Sequence, residues 1–186
     1  MRNINWTSVT ATHDGEGGQR LEPGAYVVRI TEMNDVPDRE YVEVVYDIAV
    51  GERAGYYSDE WGKSNPWAHH TFFSYKDKAL GMLKGRLECI NASNAGFDAF
   101  AAWDAGRLDM FVGRTFGANI RLEEYEKSDG SIGERLSVCE VRTAQDVLDG
   151  KVKPRDVKRL DASRGSGWSA RPVAAAPAVD DSDIPF

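Results

Sequence analysis

Aromatic rings and cations are concentrated between residues 61 and 78, where the run His70-Thr-Phe-Phe-Ser-Tyr-Lys-Asp-Lys78 occurs. Flat rings can stack on nucleobases, cations can pair with phosphates, and each stacked base contributes about 1–3 kcal/mol. Neighbouring side chains on a strand point to opposite faces, and we predict that Phe73 and Tyr75 face outward. The alternative is that His70 and Phe72 do. The candidate nucleic-acid contacts are Arg29, Trp61, Trp67, Phe73, Tyr75, Lys76, Lys78, Arg121 and Arg135.

A second stretch with binding chemistry is Asp180-Asp-Ser-Asp-Ile-Pro-Phe186, in which three carboxylates precede an apolar end. The carboxylates favour a solvated segment, and Pro185 disfavours a helix or a sheet interior. A partner would need an apolar pocket for the Phe186 ring and an Arg for the terminal carboxylate. The alternative is a plain acidic tail. Because solubility requires no Ile-Pro-Phe, we interpret the segment as a linear motif for a protein partner.

This tip closely resembles the acidic C-terminal tip of bacterial single-stranded-DNA-binding proteins, in which a run of Asp is followed by Ile-Pro-Phe. In that family the tip recruits replication, recombination and repair enzymes. The resemblance therefore implies single-stranded DNA and such enzymes as partners. Ser182 interrupts the acidic run, and the matching residues are Asp180, Asp181, Asp183, Ile184, Pro185 and Phe186.

The body of the chain resembles a second group, the phage-encoded early proteins of unassigned function. The similar segments are Gly55-Tyr-Tyr-Ser-Asp59, Ser74-Tyr-Lys-Asp-Lys-Ala-Leu80 and Arg121-Leu-Glu-Glu-Tyr125. The setting of those proteins suggests DNA replication or recombination, so the resemblance implies a phage-encoded single-stranded-DNA-binding protein. The opening residues do not resemble the usual bacterial core, which leaves the oligomeric state open, a homo-oligomer included.

Composition places limits on these functions. A chain of 186 residues with 41% hydrophobic content can form one good core. It has no apolar run of membrane-spanning length and no signal-peptide region at its N-terminus, so we expect it in the cytoplasm, that of the bacterial host if phage-encoded. Cys89 and Cys139 lack a Cys or His at ligand spacing, and we predict no metal or cofactor. The formal net charge of −7 means that stacking must contribute much of any DNA affinity.

Hydrophobic periodicity predicts a mainly β fold. Alternation indicates five strands, near residues 26–31, 41–50, 69–75, 115–126 and 134–141. Helical spacing from Leu80 to Ile90 predicts a helix over 76–91, and shorter helices are predicted at 98–104 and 143–148. Five strands with one helix between the third and fourth is the order of an oligonucleotide-binding (OB) barrel. The predicted organisation is an arm at 1–22, an OB-like nucleic-acid-binding domain at 23–153, a flexible linker at 154–179 and the tip at 180–186, with linker and tip forming a disordered tail.

Two other functions stay open. One is a decoy that mimics the acidic tip and occupies host repair enzymes without binding DNA. The other is a metal-dependent nuclease, for which no residue spacing provides a specific signal. The carboxylates that could serve it are Asp35, Asp38, Glu40, Asp59 and Glu60.

Overall fold

The computed structural model of the protein describes residues 21–58 and 66–160. Its strands are β1 (Gly24–Val36), β2 (Tyr41–Ile48), β3 (His70–Ser74), β4 (Thr115–Glu126) and β5 (Ile132–Arg142). Its α-helices are α1 (Leu80–Ser93), α2 (Ala99–Asp104) and α3 (Ala144–Leu148). Short 3-10 turns occur at Pro37–Arg39, Pro66–His69, Asp77–Ala79 and Leu108–Phe111. None of the helices in the described ranges combines the length and apolar character needed to cross a bilayer.

The five strands form one sheet in the order β3-β2-β1-β4-β5, and all neighbours are antiparallel. The prediction of a mainly β protein with helices between strands is confirmed. The predicted barrel is not closed. Closure would require β3 to pair with β5, but these two strands are the edges of the sheet. Two α-helices, rather than the single one of the predicted order, separate β3 from β4, since the short helix predicted at 98–104 is also present.

One face of the sheet, here called the inner face, forms the core. Val28 of β1 pairs with Ile48 of β2 and with Phe116 of β4, and all three side chains are buried. A β-bulge between Ile30 and Glu32 changes the alternation, so that the next inward side chain is Met33. Helix α1 covers this face with its buried side chains Leu83, Leu87 and Ile90. The helical spacing seen in the sequence thus identified most of the core side of α1, while its first residue, Leu80, is 47% exposed.

The opposite, outer face is partly covered by α3. Val27 of β1 and Gly117 of β4 pair there, and Val27 is buried. A Cβ atom added at Gly117 would lie 2.6 Å from both Thr143 O and Val147 Cγ2. Only glycine therefore permits α3 to lie this close to β4. The Thr143 hydroxyl accepts a hydrogen bond from Asp146 N and caps the helix.

Residues 151–159, here called the strap, continue from α3 across β4. Asn119 Nδ2 donates to Lys153 O over 2.9 Å, and Lys158 N donates to Leu122 O over 3.0 Å. Lys158 O in turn accepts from Glu124 N, which makes a short parallel bridge with β4. The first residues of the predicted linker, 154–160, are thus hydrogen-bonded to the sheet. At the start of the described residues, Leu21 of the predicted arm is buried in the core.

Candidate nucleic-acid interface

The outer face of β2 and β3 carries an aromatic pair, here called the aromatic platform, formed by the half-buried Tyr41 and the exposed Phe72. Their ring centroids are 4.9 Å apart at an interplanar angle of 67°, an edge-to-face contact. Phe72 is 44% exposed. The pair forms because Phe72 lies opposite Glu43 in the β2–β3 register, which makes Tyr41 its diagonal neighbour on the same face. The platform thus presents ring surface on which a planar group can stack.

The prediction that Phe73 faces outward is wrong. Phe73 has no exposed surface, pairs with Val42 of β2 and lies 6.3 Å from the Phe116 ring in the core. Phe72 takes the outward position instead, which agrees with the alternative prediction. Helix α1 also fixes this strand, because Arg86 Nη1 donates a 2.6 Å hydrogen bond to Phe72 O.

Tyr75, predicted to stack outward, is half-buried beyond the end of β3. Its hydroxyl donates to Asp35 Oδ1 over 3.0 Å, and its ring meets Trp103 edge-on with centroids 6.4 Å apart. Desolvation of the hydroxyl and its bond to the Asp35 carboxylate raise the pKa of Tyr75. Lys76 is half-buried and Lys78 exposed at the following 3-10 turn. Both predicted lysines thus follow shortly after β3, the strand that carries Phe72.

Arg121 and Arg135, which are predicted to contact phosphates, share the carboxylate of Glu123. Glu123 Oε1 accepts from Arg121 Nη2 at 2.7 Å, and Glu123 Oε2 lies 3.7 Å from Arg135 Nη2. Lys158 Nζ of the strap is 3.8 Å from the same carboxylate. Burial acts to raise the pKa of Glu123, but hydrogen bonds from Arg121 and Ser137 and the nearby cations outweigh it and lower the pKa. The carboxylate therefore remains charged and partly neutralises three cations.

Arg29 is exposed on the outer face of β1, opposite Asp47 of β2. Trp61 and the predicted partner-binding residues 180–186 lie outside the described residues. The backbone of Trp67 belongs to the turn Pro66–His69, which leads directly into β3. The structure thus places Arg29 on the same sheet face as the aromatic platform.

Polar side chains adjoin the aromatic platform. His70 Nδ1 and Glu43 Oε1 lie 2.8 Å apart on the outer face, with both side chains largely buried. Further along β2, Asp47 accepts hydrogen bonds from Ile48 N at 2.7 Å and Tyr57 N at 2.9 Å, and also from the Ser58 hydroxyl. These bonds tie the loop after β2 to the sheet. The face around the platform is therefore polar and contains carboxylates, so a nucleic acid at this face would depend more on stacking than on charge.

Two groups of residues were not predicted as sites. Tyr41 lies in the predicted second strand, but its contact with Phe72 depends on cross-strand register. The strap contains Lys151, Lys153, Arg155, Lys158 and Arg159 against a single Asp, and this cluster of cations was a signal available in the sequence.

Within the described ranges, no group of three or more His, Cys, Asp or Glu side chains is arranged to hold a metal ion. Asp59 and Glu60 of the nuclease alternative lie outside those ranges. The chain matches no protein-family model, and no curated protein matches it.

Proposed function

We propose that the protein is a phage-encoded single-stranded-DNA-binding protein that acts in the cytoplasm of the bacterial host, in DNA replication or recombination. Its sheet would be an open OB-like fold that binds DNA on the outer face of β2 and β3. The sequence 180–186 would recruit replication, recombination or repair enzymes. The observation that carries the proposal is the edge-to-face pair of the half-buried Tyr41 and the exposed Phe72 on those two strands.

The strand order supports this proposal. An OB-fold is a partly open five-stranded barrel that binds oligonucleotides on its second and third strands and in the loops joining strands one to two and four to five. The order β3-β2-β1-β4-β5 is compatible with such a barrel opened between β3 and β5. Helix α1 contacts both edges, through Arg86 to Phe72 O and through Cys89 Sγ to Val141 O at 3.7 Å.

The test is a fluorescence anisotropy titration of a labelled single-stranded oligonucleotide. Phe72→Leu keeps an apolar side chain but removes the ring, so affinity should fall by about 5- to 150-fold, the equivalent of one lost stacking contact. Phe72→Tyr should bind like the parent protein. Met82→Ala is the matched control, because Met82 is 63% exposed on α1 and away from the platform. Equal affinity of Phe72→Leu and the parent protein would contradict the proposal.

The recruitment function has a separate test. Removing residues 180–186 should leave DNA affinity equal or greater, because the deleted segment carries three carboxylates that repel phosphates. The same deletion should abolish binding to purified enzymes that recognise the acidic tip of the bacterial proteins. Weaker DNA binding by the truncated chain would argue against an acidic tip that only recruits partners.

The decoy remains the second candidate. It is favoured by the net charge of −7 and by Glu123, which engages two of the cations predicted to contact DNA. A protein that binds the tip-recognising enzymes but shows no DNA affinity at low salt would have this function.

A further inference from the structure

The strap borders a cleft. The other walls of this cleft are α3 and the last residues of β5. This cleft has a volume of about 550 Å³ and is lined by both charge types, with Arg142, Lys151, Lys153 and Arg155 outnumbering Glu140, Asp146 and Asp156. It contains no residue of the aromatic platform. It is therefore a separate surface that the stacking proposal does not use.

Hydrogen bonds to its main-chain groups hold the strap in place. Lys153 O accepts from Asn119, whose side chain is fully buried, and Lys158 bonds to β4 through both its N–H and its C=O. The long side chains on the strap remain mostly exposed, with values of 63% for Lys151 and 57% for Arg155. Ion pairs of the strap's own cations add to these contacts, Lys151 with Asp149, Arg155 with Glu140 and Lys158 with Glu123.

Glu140 orients two guanidinium groups at this cleft. Glu140 forms an ion pair with Arg142, and its Oε2 atom lies 3.3 Å from Arg155 Nη2. The same oxygen accepts a 3.3 Å hydrogen bond from Asn119 Nδ2. A guanidinium carries five N–H donors, so one carboxylate leaves several of them available to an oxyanion. Lys153 has no ion pair with any residue in the described ranges. The cleft therefore retains donors for an anion despite its carboxylates.

The spacing of the cations suits a linear polyanion. Lys151, Lys153 and Arg155 are two residues apart, and Pro154 disfavours a helix at and before its position. Two residues of extended chain advance about 6.6 Å, which is comparable to the step between adjacent phosphates in a stretched single strand. A single small anion would need no such row.

We propose that the strap, with Lys151, Lys153 and Arg155 and with Arg142 across the cleft, is a phosphodiester-binding site for single-stranded nucleic acid. This inference rests on the proposed DNA-binding function and adds to it a contact that binds the backbone alone. The platform stacks bases and accounts for salt-insensitive affinity, whereas the strap neutralises phosphates and accounts for the salt-dependent part.

The test measures the slope of log affinity against log salt concentration for a labelled oligonucleotide. Each phosphate contact to a single strand contributes a slope of about 0.7. The double variant Lys153→Gln with Arg155→Gln should therefore reduce the slope by about 1.4. The control double variant, Lys84→Gln with Arg107→Gln, changes the net charge equally at exposed sites on other elements and should leave the slope almost unchanged.

The outcomes separate this inference from the proposed function. Phe72→Leu should weaken binding with an unchanged salt slope, which distinguishes stacking from phosphate contact. If the parent protein binds DNA and the strap variant has the parent's slope, the strap proposal is overturned while the DNA-binding function stands. If the strap variant instead loses affinity for a labelled heptapeptide of sequence 180–186 at an unchanged DNA slope, an acidic peptide is the occupant and the proposal also fails. Absence of any DNA binding by the parent protein overturns both.

Discussion

Replacing Gly117 by Ala should destabilise the protein by displacing α3 from the sheet. Gly117 lies in β4 directly beneath α3, and an added Cβ would be 2.6 Å from Thr143 O and from Val147 Cγ2, and 3.1 Å from Arg142 O. Two of these three neighbours are main-chain atoms, so no change of rotamer can relieve the contacts. The helix and the preceding end of β5 must move.

The size of the effect follows from these contacts. Inserting a methyl group into a filled site costs about 1–3 kcal/mol of unfolding free energy. Displacement of α3 would also strain the 2.9 Å hydrogen bond from Ala144 N to Ser93 Oγ that joins it to α1. Adding Val147→Ala removes only the side-chain clash. The double variant Gly117→Ala with Val147→Ala should therefore remain less stable than Val147→Ala alone, because the added Cβ still clashes with the carbonyl oxygen of Thr143.

Urea unfolding measures this difference, and Gly81→Ala is the matched control. A Cβ at Gly81 meets no atom within 4 Å, and Gly81 lies inside α1, where Ala is favoured over Gly by about 0.5–1 kcal/mol. The same substitution should thus stabilise the protein at one position and destabilise it at the other. A Gly117→Ala variant within about 0.5 kcal/mol of the parent protein would refute the close approach of α3 to β4.

Three further substitutions test the polar groups near the sheet. Asp47→Ala leaves two main-chain N–H groups without their acceptor and should cost about 2–4 kcal/mol in urea unfolding, whereas a loss below about 1 kcal/mol would contradict this anchoring of the loop. The pKa of Glu123 is lowered from 4.5, so its contribution to stability is present above pH 4.5 and is lost as the pH falls through the folded-state value. Glu123→Gln should therefore flatten the fall in Tm below pH 4.5, and an unchanged acid limb would contradict that role. Burial and the neighbouring His70 lower the pKa of His69 from 6.5. The unfolded chain therefore binds this proton more readily than the folded protein does. The parent protein should lose stability as the pH falls below 6.5. His69→Phe can keep the ring contact with Tyr57 and should reduce this loss, as measured by Tm between pH 7 and pH 5; the same loss in both proteins would count against it.

Much of the secondary structure was predictable because burial of one sheet face imposes strict alternation. The fourth strand was predicted at its observed bounds, Thr115–Glu126, and its alternate side chains Phe116, Ala118 and Ile120 are buried. Helix α1 was predicted from its apolar spacing, although its α-helical hydrogen bonding begins only at Leu80, after a 3-10 turn. Barrel closure was not predictable in this way, because pairing between β3 and β5 depends on the curvature of the whole sheet.

The aromatic segment shows why the candidate site was harder to predict than the strands. Phe72 and Phe73 are both apolar, so alternation fits either outward choice equally well. A shift of one residue sends every side chain of a strand to the other face, and the register between β2 and β3 made the choice by pairing Phe73 with the buried Val42. The same pairing brought Tyr41 beside Phe72. These contacts depend on a neighbouring strand that local sequence does not specify.

By itself the sequence determined the strands, the main helix, the acidic tip motif and which aromatic and cationic side chains are present. The tertiary structure alone decided which of these side chains are available. It buried Phe73, exposed Phe72, and bound Arg121 and Arg135 to Glu123 across two strands. It also held the strap to β4 through hydrogen bonds to the strap's main-chain groups, while the side chains of Lys151 and Arg155 stay mostly exposed. The physical reason is that exposure and ion pairing arise from cross-strand register and packing, whereas periodicity arises from the local chain.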